Sequence, residues 1–580
     1  MGPRSRGPIL FLVPARGGSR RIPGKNLREI AGIPLVGQAV RLGRLAAART
    51  AGGTDLVACS TDDAAIVAAA RAWGADEIIE RPSRLATDSA TSVDVVLHAL
   101  DSLAASGWEG STLVLLQPTS PLTEPADVIA ALALFEGGDG RGVVSVTRAH
   151  PVSWHQRRDP DGALRAVDPQ DGEHILTGAF YITAVDRFRR SRSFLEPGMT
   201  LGFEVPAERS VDVDEPVDLL VAEQLATARP IDPVAIGDRD IGRGPAFLIA
   251  EAGVNHNGDE QIAHRLIDAA AETGADAVKF QTFDPHVLAA RSTPTAEYQR
   301  DSGEGVDQLA MLARLVLPAE AWPRLQDHAR ECGLVFLSTP FDDESARLLD
   351  GLDVPAFKVG SGELTNIAFL ERLARFGRPM LVSTGMADMV EVAAAVDAVR
   401  ASGNARLALL HCVSAYPARP EDANLRAMAT MRAAFGVPTG WSDHTTGAQL
   451  AVAAVSLGAA IVEKHLTLDR TMTGPDHAAS LEPGEFKVLV DEVRTVESGL
   501  GSGRKEPVAA ERPIAEVARR SLYWSRPLPA GHLVADDDLV ALRPGNGISP
   551  ARQRDLVGRT TAGPVEAGTQ VTLDDLQGEV

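Results

Sequence analysis

The sequence predicts an α/β protein in three consecutive parts: an N-terminal Rossmann-like domain, a central (β/α)8 TIM barrel and a small C-terminal module. Three observations predict it. Over residues 1–228, strand-like runs alternate with Ala-rich helical stretches, the pattern of a largely parallel sheet. Beyond Arg229-Pro230-Ile231-Asp232-Pro233, whose two prolines read as a boundary, eight short apolar runs each end in a polar cluster and lead into a helical stretch. From about residue 506 that alternation stops, and a proline-bracketed charged stretch gives way to Gly-rich turns. The parts are 1–228, 229–505 and 506–580.

In the first part, Ile9–Val13, Asp55–Ser60, Thr112–Leu116 and Gly142–Val146 read as strands, with helices over 35–50 and 63–73. The first strand runs into Pro14-Ala15-Arg16-Gly17-Gly18-Ser19-Arg20-Arg21-Ile22-Pro23-Gly24-Lys25-Asn26. Glycines let backbone amides approach an anion, and Arg16, Arg20, Arg21 and Lys25 supply four cations, a combination suited to a triphosphate. It is not a Walker A loop, because Asn26 stands where a Ser or Thr would hold magnesium. In Ser210-Val211-Asp212-Val213-Asp214, strand alternation puts Asp212 and Asp214 on one face. Two such carboxylates near phosphates call for a cation, and Mg²⁺ is the expected one.

In the second part the strand runs are Phe247–Ala250, Ala277–Phe280, Val335–Leu337, Ala356–Val359, Met380–Val382, Leu407–Leu410, Pro438–Trp441 and Ala460–Val462. Barrel enzymes keep their chemistry at strand C-terminal ends, and every one of these ends is polar. Lys279 and Lys358, with hydroxyls at Thr339, Ser361 and Ser383, suit a ligand that carries both phosphate and carboxylate, as phosphoenolpyruvate does. His444 and His465 end consecutive strands and can bind a divalent metal such as Mn²⁺. Glu251, Glu363 and Asp476 can position sugar hydroxyls or move protons.

Composition bounds the partners. The 580 residues are 44% hydrophobic and 23% charged, with a formal net charge of −21. That balance allows large cores and argues against nucleic acid or an anionic membrane as a partner, while leaving room for a basic pocket. Cys59, Cys332 and Cys412 are far apart and form no C-x-x-C, which fits a reducing compartment rather than a disulfide scaffold or structural zinc. Pro8–Val13 is too short for a signal peptide, and no run approaches the ~18–20 apolar residues of a membrane span. A soluble, cytoplasmic protein is expected.

Residues 8–228 resemble the acylneuraminate (CMP-sialate) cytidylyltransferases. The resemblance rests on the P-A-R-G-G-S-R-R-I-P-G-K-N turn, Ser60-Thr61-Asp62, Arg81-Pro82, Leu85-Ala86-Thr87-Asp88, Leu116-Gln117-Pro118-Thr119-Ser120-Pro121-Leu122 and the D-x-D pair. It implies that Arg16, Ser19, Arg20, Lys25 and Asn26 hold CTP, with Arg81 and Ser92 close by. Gln117 would touch the sugar acid, Asp212 and Asp214 would bind Mg²⁺, and Arg16 and Lys25 would act on the transferring phosphate. The family usually carries Arg and Asn before its G-A-[FI]-Y-I strand. Here His174-Ile175-Leu176-Thr177 stands there, and Pro151-Val152-Ser153-Trp154 lacks an expected lysine. The nucleotide half is intact and the sugar half altered: either the sugar differs from N-acetylneuraminate or another side chain holds its carboxylate.

Residues ~236–505 resemble the sialic acid synthases through A-E-A-G-V-N-H-N-G, K-F-Q-T, S-T-P-F, K-V-G-S-G-E, S-T-G-M, S-D-H-T and G-P-D-H. The resemblance implies condensation of phosphoenolpyruvate with N-acetylmannosamine or a related acylated hexosamine to a nonulosonic acid. Lys279, Thr339, Lys358, Ser361, Ser383 and Ser442 would hold phosphoenolpyruvate. Glu251, Gln281, Glu363, Tyr416 and Asp476 would hold the sugar, and His444 and His465 the metal. The tail, with Arg519-Arg520-Ser521-Leu522-Tyr523 and Arg543-Pro544-Gly545-Asn546-Gly547, resembles the antifreeze-like (SAF) domain that ends those synthases. That implies a domain-swapped homodimer in which Arg543 reaches the partner's acceptor sugar. The alternative to a bifunctional enzyme is a synthase whose N-terminal domain binds nucleotide without turning it over.

Overall fold

The structure, a computed structural model, describes residues 7–50, 54–137, 139–148, 156–158, 164–166, 174–290 and 308–577. Pro151–Trp154, singled out above, lie outside the described residues.

The N-terminal sheet has seven strands: β1 (Ile9–Pro14), β2 (Leu56–Thr61), β3 (Glu77–Glu80), β4 (Thr112–Leu116), β5 (Gly142–Arg148), β6 (His174–Ala184) and β7 (Thr200–Glu204). Their order is β7-β5-β6-β4-β1-β2-β3. Only β6 runs antiparallel to its neighbours. β1 lies between β2 and β4, and its unbroken apolar run is buried on both faces, as a central parallel strand requires. Helix α1 (Leu35–Ala47) packs beside it, and α2 (Pro216–Thr227) closes the domain.

Residues 210–214 do not form the expected strand. They run as an extended segment outside the sheet, tied down by Val213 N donating to Thr119 O at 2.7 Å. Among the described residues no strand pairs with this segment, so the alternating pattern acts through burial alone. Val213 sinks into an apolar cluster, while Asp212 and Asp214 stay at the surface.

After the linker, a hairpin of β8 (Val234–Ile236) and β9 (Arg239–Ile241) precedes the closed barrel. The barrel strands are β10 (Phe247–Gly253), β11 (Ala277–Thr282), β12 (Val335–Pro340), β13 (Phe357–Val359), β14 (Met380–Ser383), β15 (Leu407–Cys412), β16 (Thr439–Asp443) and β17 (Ile461–His465). All eight expected runs are strands, and most extend into the polar cluster that follows. Of the surrounding helices, α3 (Glu260–Thr273), α4 (Ala321–Glu331), α5 (Met389–Ala401) and α6 (Ala427–Phe435) matter below.

Successive strand residues alternate between the barrel interior and the helix layer. The interior is therefore stratified. Ile249, Leu337, Leu381, Leu410 and Ile461 form an apolar floor, which Val234, Ile236 and Ile241 of the hairpin plug from below. Two residues further along, the interior turns polar, and on β10, β11, β13 and β17 it carries charge. At Gly440 a Cβ would meet Ile461 O at 2.4 Å, so β16 and β17 approach this closely only with glycine there.

The sheet domain and barrel pack as one compact unit, Met1–Gly499, and Leu500–Val580 form a second. Within the first, the Arg41 guanidinium donates twice to Asp397 of α5, at 2.7 and 2.5 Å, and lies 5.4 Å from the Phe435 ring centre of α6. Ala433 of α6 joins Ile30, Leu35 and Ala222 of the N-terminal domain in one apolar cluster. The second unit has its own core around Leu522, Trp524 and Val571, and buried Asp538 takes ion pairs from Arg526 and His532, each 2.7 Å. Arg543 is exposed in that unit, before a cis peptide bond to Pro544. No helix among the described residues is long and apolar enough to cross a membrane.

Candidate active sites

The barrel mouth encloses a cavity of about 450 Å³ above the apolar floor. Its lowest layer carries two positive and two negative side chains, each 5% exposed or less: Glu251, Lys279, Lys358 and Glu463. Lys279 Nζ lies 2.7 Å from Glu251 Oε2 and 3.8 Å from Glu463 Oε2, and donates to Thr339 Oγ1 at 3.0 Å. Lys358 Nζ lies 3.4 Å from Glu463 Oε1 and donates to Ser383 Oγ at 2.8 Å. Ser442 Oγ donates to Glu463 Oε1 at 3.1 Å. Glu463 is thus shared by both lysines. Burial alone would raise its carboxyl, but the two lysines outweigh burial and pull it down to about 2. Glu251 goes the other way: burial raises it, against the pull of Lys279. Burial also lowers Lys358, whereas its carboxylate neighbours leave Lys279 raised.

Sequence reasoning gave Glu463 no role. The signal was available: it precedes His465 by two residues on one strand, so both face inward. Lys464 between them faces the helix layer and pairs with Asp443 at 2.8 Å.

One layer higher, the rings of His444 and His465 face each other with centres 5.5 Å apart, and Tyr416 lies 4.1 Å from His444. His444 Nδ1 donates to Val413 O at 2.8 Å, which leaves Nε2 as the lone-pair nitrogen. His465 Nδ1 is buried and, among the described residues, has no hydrogen-bond partner; it lies 3.9 Å from Asp476 Oδ2. Burial and neighbouring His444 hold His465 well below its usual range, hence neutral, and burial pushes Asp476 up to about 6. Two neutral-capable imidazoles, one with an orphaned nitrogen, and a carboxylate make a donor set that fits a divalent cation. Gln281 Nε2 donates to Glu251 Oε1 at 3.1 Å, and Ser361 Oγ accepts from Gly385 N at 3.0 Å. Thr339, Ser383, Tyr416 and Ser442 also line the cavity. Glu363 does not. It ends the short turn Ser361–Glu363, and its carboxylate accepts from Asn366 Nδ2 at 2.8 Å, because that turn carries the chain outward to the next helix.

The second constellation surrounds the end of β1. Gly24 adopts φ +64°, a left-handed conformation that turns the loop back. Asn26 is buried, and its Nδ2 donates to Arg16 O at 2.9 Å, so its amide clasps the turn. Lys25 Nζ reaches across to Val213 O at 2.9 Å and Asp214 Oδ1 at 3.0 Å. Arg16 and Arg20 converge on Asp88, at 2.5 and 2.6 Å, and the Arg16 hydrogen bond holds that carboxyl below its ordinary value. Asp88 was quoted in a motif but given no role. Arg81 is buried and donates to Ser60 O at 2.7 Å. Ser19 lies within the same turn, and Ser92 opens the helix Ser92–Ala105. Gln117 directly follows β4, and its backbone N donates to Ala179 O of β6 at 3.0 Å.

Asp212 is raised by partial burial, with the Asp214 carboxylate adding to the effect. Asp212, with a second carboxylate beside it and the cationic turn nearby, fits a divalent cation. Ile175, which begins β6, is 55% exposed, whereas Thr177 is buried and donates to Ser145 Oγ at 2.7 Å. The Thr177 hydroxyl is thus committed to the sheet.

Buried charge concentrated at the C-terminal end of a parallel barrel defines the class: a TIM-barrel enzyme. The chain belongs to the NeuB family, whose model matches residues 266–505. A cytidylyltransferase model matches residues 10–171, and a SAF domain model residues 519–577. An N,N'-diacetyllegionaminic acid synthase of Legionella pneumophila is 44% identical over 57% of this chain and 94% of its own length. The human N-acetylneuraminate-9-phosphate synthase is 38% identical over 56% of this chain and 91% of its own. A pseudaminic acid synthase of Helicobacter pylori is 32% identical over 57% and 98%.

Proposed function

We propose that the barrel condenses phosphoenolpyruvate with an N-acylated hexosamine, giving a nonulosonic acid and inorganic phosphate. The N-terminal domain then transfers CMP from CTP to that acid and releases pyrophosphate. The observation that carries the first half is the pair of buried lysines sharing Glu463 beneath two facing histidines. Phosphoenolpyruvate brings a phosphate and a carboxylate. Lys279 and Lys358 meet them with charge, and Thr339, Ser361, Ser383 and Ser442 with hydroxyls. The incoming anion takes over lysine contacts now made by Glu251 and Glu463, so its counter-charge already waits in the mouth. Glu251, raised by burial and released from Lys279, is the group able to carry a proton. Gln281, Tyr416 and Asp476 are assigned to the acceptor sugar. A divalent cation such as Mn²⁺ at His444 and His465 supplies polarisation of the acceptor carbonyl. The enol carbon bonds to the acceptor's aldehyde carbon, phosphate leaves, and water supplies the oxygen of the new keto group.

In the N-terminal domain, Arg16, Ser19, Arg20, Lys25 and Asn26, with Arg81 and Ser92, are assigned to CTP, and Gln117 to the sugar acid. Asp212 and Asp214 are assigned to Mg²⁺. The acid's anomeric hydroxyl bonds to the α-phosphate as pyrophosphate departs. Arg543 is assigned to the neighbour's acceptor site in a homodimer. The higher identity to the Legionella enzyme than to the Helicobacter one makes a product of the N,N'-diacetyllegionaminic type the first to test.

The experiment supplies phosphoenolpyruvate, Mn²⁺ and a panel of acylated hexosamines, then CTP and Mg²⁺. Phosphate release and product mass are read first, pyrophosphate second. No phosphate release on any acceptor sinks the synthase reading. The exposed Ile175 favours a second reading, nucleotide binding without turnover. CTP binding without pyrophosphate release on the barrel's own product would establish it.

A further inference from the structure

On the outside of the barrel, in helices that none of the motifs used above includes, α3 and α4 lie side by side. Each presents two metal-ligating residues one helical turn apart: His264 and Asp268 on α3, His328 and Cys332 at the end of α4. The i, i+4 spacing puts each pair on one helix face, and packing turns the two faces together. His328 Nε2 lies 2.9 Å from Asp268 Oδ1, and Cys332 Sγ lies 3.9 Å from the same oxygen. One ligand atom from each of Asp268, His328 and Cys332 falls within 4.8 Å of the others. A tetrahedral ion with bonds of about 2.0–2.3 Å spans ligand atoms roughly 3.3–3.8 Å apart. Small side-chain rotations therefore close the set around one ion.

The surroundings match. His264 Nδ1 lies 2.7 Å from His328 Nδ1, and its other nitrogen lies 3.7 Å from Glu260 Oε1. The His264 contact occupies His328 Nδ1 and leaves Nε2 facing Asp268, the role an outer-shell partner plays in histidine metal sites.

We propose that Asp268, His328 and Cys332 form a second metal site for a borderline-soft divalent cation of the zinc class, with solvent in the fourth position. One thiolate, one imidazole and one carboxylate select that class over Mg²⁺ or Ca²⁺. Binding forms a metal–sulfur bond and releases the Cys332 thiol proton to solvent. The ion clamps α3 to α4, the helices that lead into the strands bearing Lys279 and Thr339. The cysteine count gave no hint of it, because the ligands are one residue of α3 and an i, i+4 pair at the end of α4, with a single cysteine among them.

Full-length protein, stripped of metal and kept reduced, is titrated with Co²⁺ alone while near-ultraviolet absorption is read for a thiolate-to-cobalt charge-transfer band. The wild type is expected to show a saturable band that is retained in Cys59→Ser and Cys412→Ser and lost in Cys332→Ser and His328→Gln. Circular dichroism and Zn²⁺-induced thermal shift run in parallel, and the shift is expected to shrink in the last two variants. A band that survives Cys332→Ser, or no band in folded wild type, overturns the site and leaves an ordinary His–Asp ion pair.

Discussion

The barrel mouth and the nucleotide turn both gather charge for anionic ligands, but they hold it in opposite ways. In the mouth, Lys279 and Lys358 are each 3% exposed and already matched by Glu251 and Glu463. In the turn, the Arg20 and Arg21 side chains are 88% and 62% exposed, and their carboxylate partners are surface groups as well. The mouth is buried and prepaired, so a ligand displaces contacts of known geometry. The turn is a solvated cluster whose pairs are individually weak, and a ligand there competes mainly with water and salt.

The comparison is sharpest within the barrel wall, where one residue of register separates two kinds of buried lysine. Lys464→Met should strand Asp443 without a partner and cost about 3–5 kcal/mol in a denaturant titration, with activity per folded molecule unchanged. Lys358→Met, in the mouth, should lower the kcat/KM for phosphoenolpyruvate by about 10²–10³-fold with little change in stability, read by phosphate release. If both variants lose stability and activity alike, the division between wall and mouth fails.

A pH profile tests the same lysine more gently. Burial lowers Lys358, so it sheds its proton below the ordinary lysine value of about 10.4. The KM for phosphoenolpyruvate should therefore rise on the alkaline side before an ordinary lysine would titrate, and Lys358→Arg should remove that limb. In the nucleotide turn, Asn26→Ala loses the bond to Arg16 O, worth about 1 kcal/mol, so the KM for CTP should rise about fivefold while the synthase reaction is untouched. Smallest of all, raising salt from about 0.05 to about 0.5 M should weaken CTP binding a few-fold and leave phosphoenolpyruvate binding nearly constant, because exposed charges are screened and buried ones are not. Equal salt sensitivity would erase the distinction.

The barrel was legible because each strand declares itself twice, by an apolar run and by the polar cluster after it. The strand ends were less so. Ser338, Ser383 and Ser442 read as loop, yet they sit in strands because the neighbouring strand continues the ladder. Val211 and Val213 differ in the reverse sense: alternation marked which residues sink, but among the described residues no strand pairs with them. Glu463 had no role beside His465, and Glu363 follows a motif whose backbone turns away from the cavity. Asp88 needed three dimensions, since its partners Arg16 and Arg20 are some 70 residues distant.

The hairpin under the barrel floor bears on how this enzyme can be divided. Val234, Ile236 and Ile241 belong to the same apolar cluster as Ile249 and Ile461, although in sequence they belong to the joint between the two halves. A separation made within residues 229–232 would leave that stopper with the barrel. One made ten residues later would hand it to the wrong fragment and let water up beneath the charged layer. Any attempt to express the two halves apart, or to graft another partner onto this barrel, is therefore constrained by a segment that lines neither candidate site.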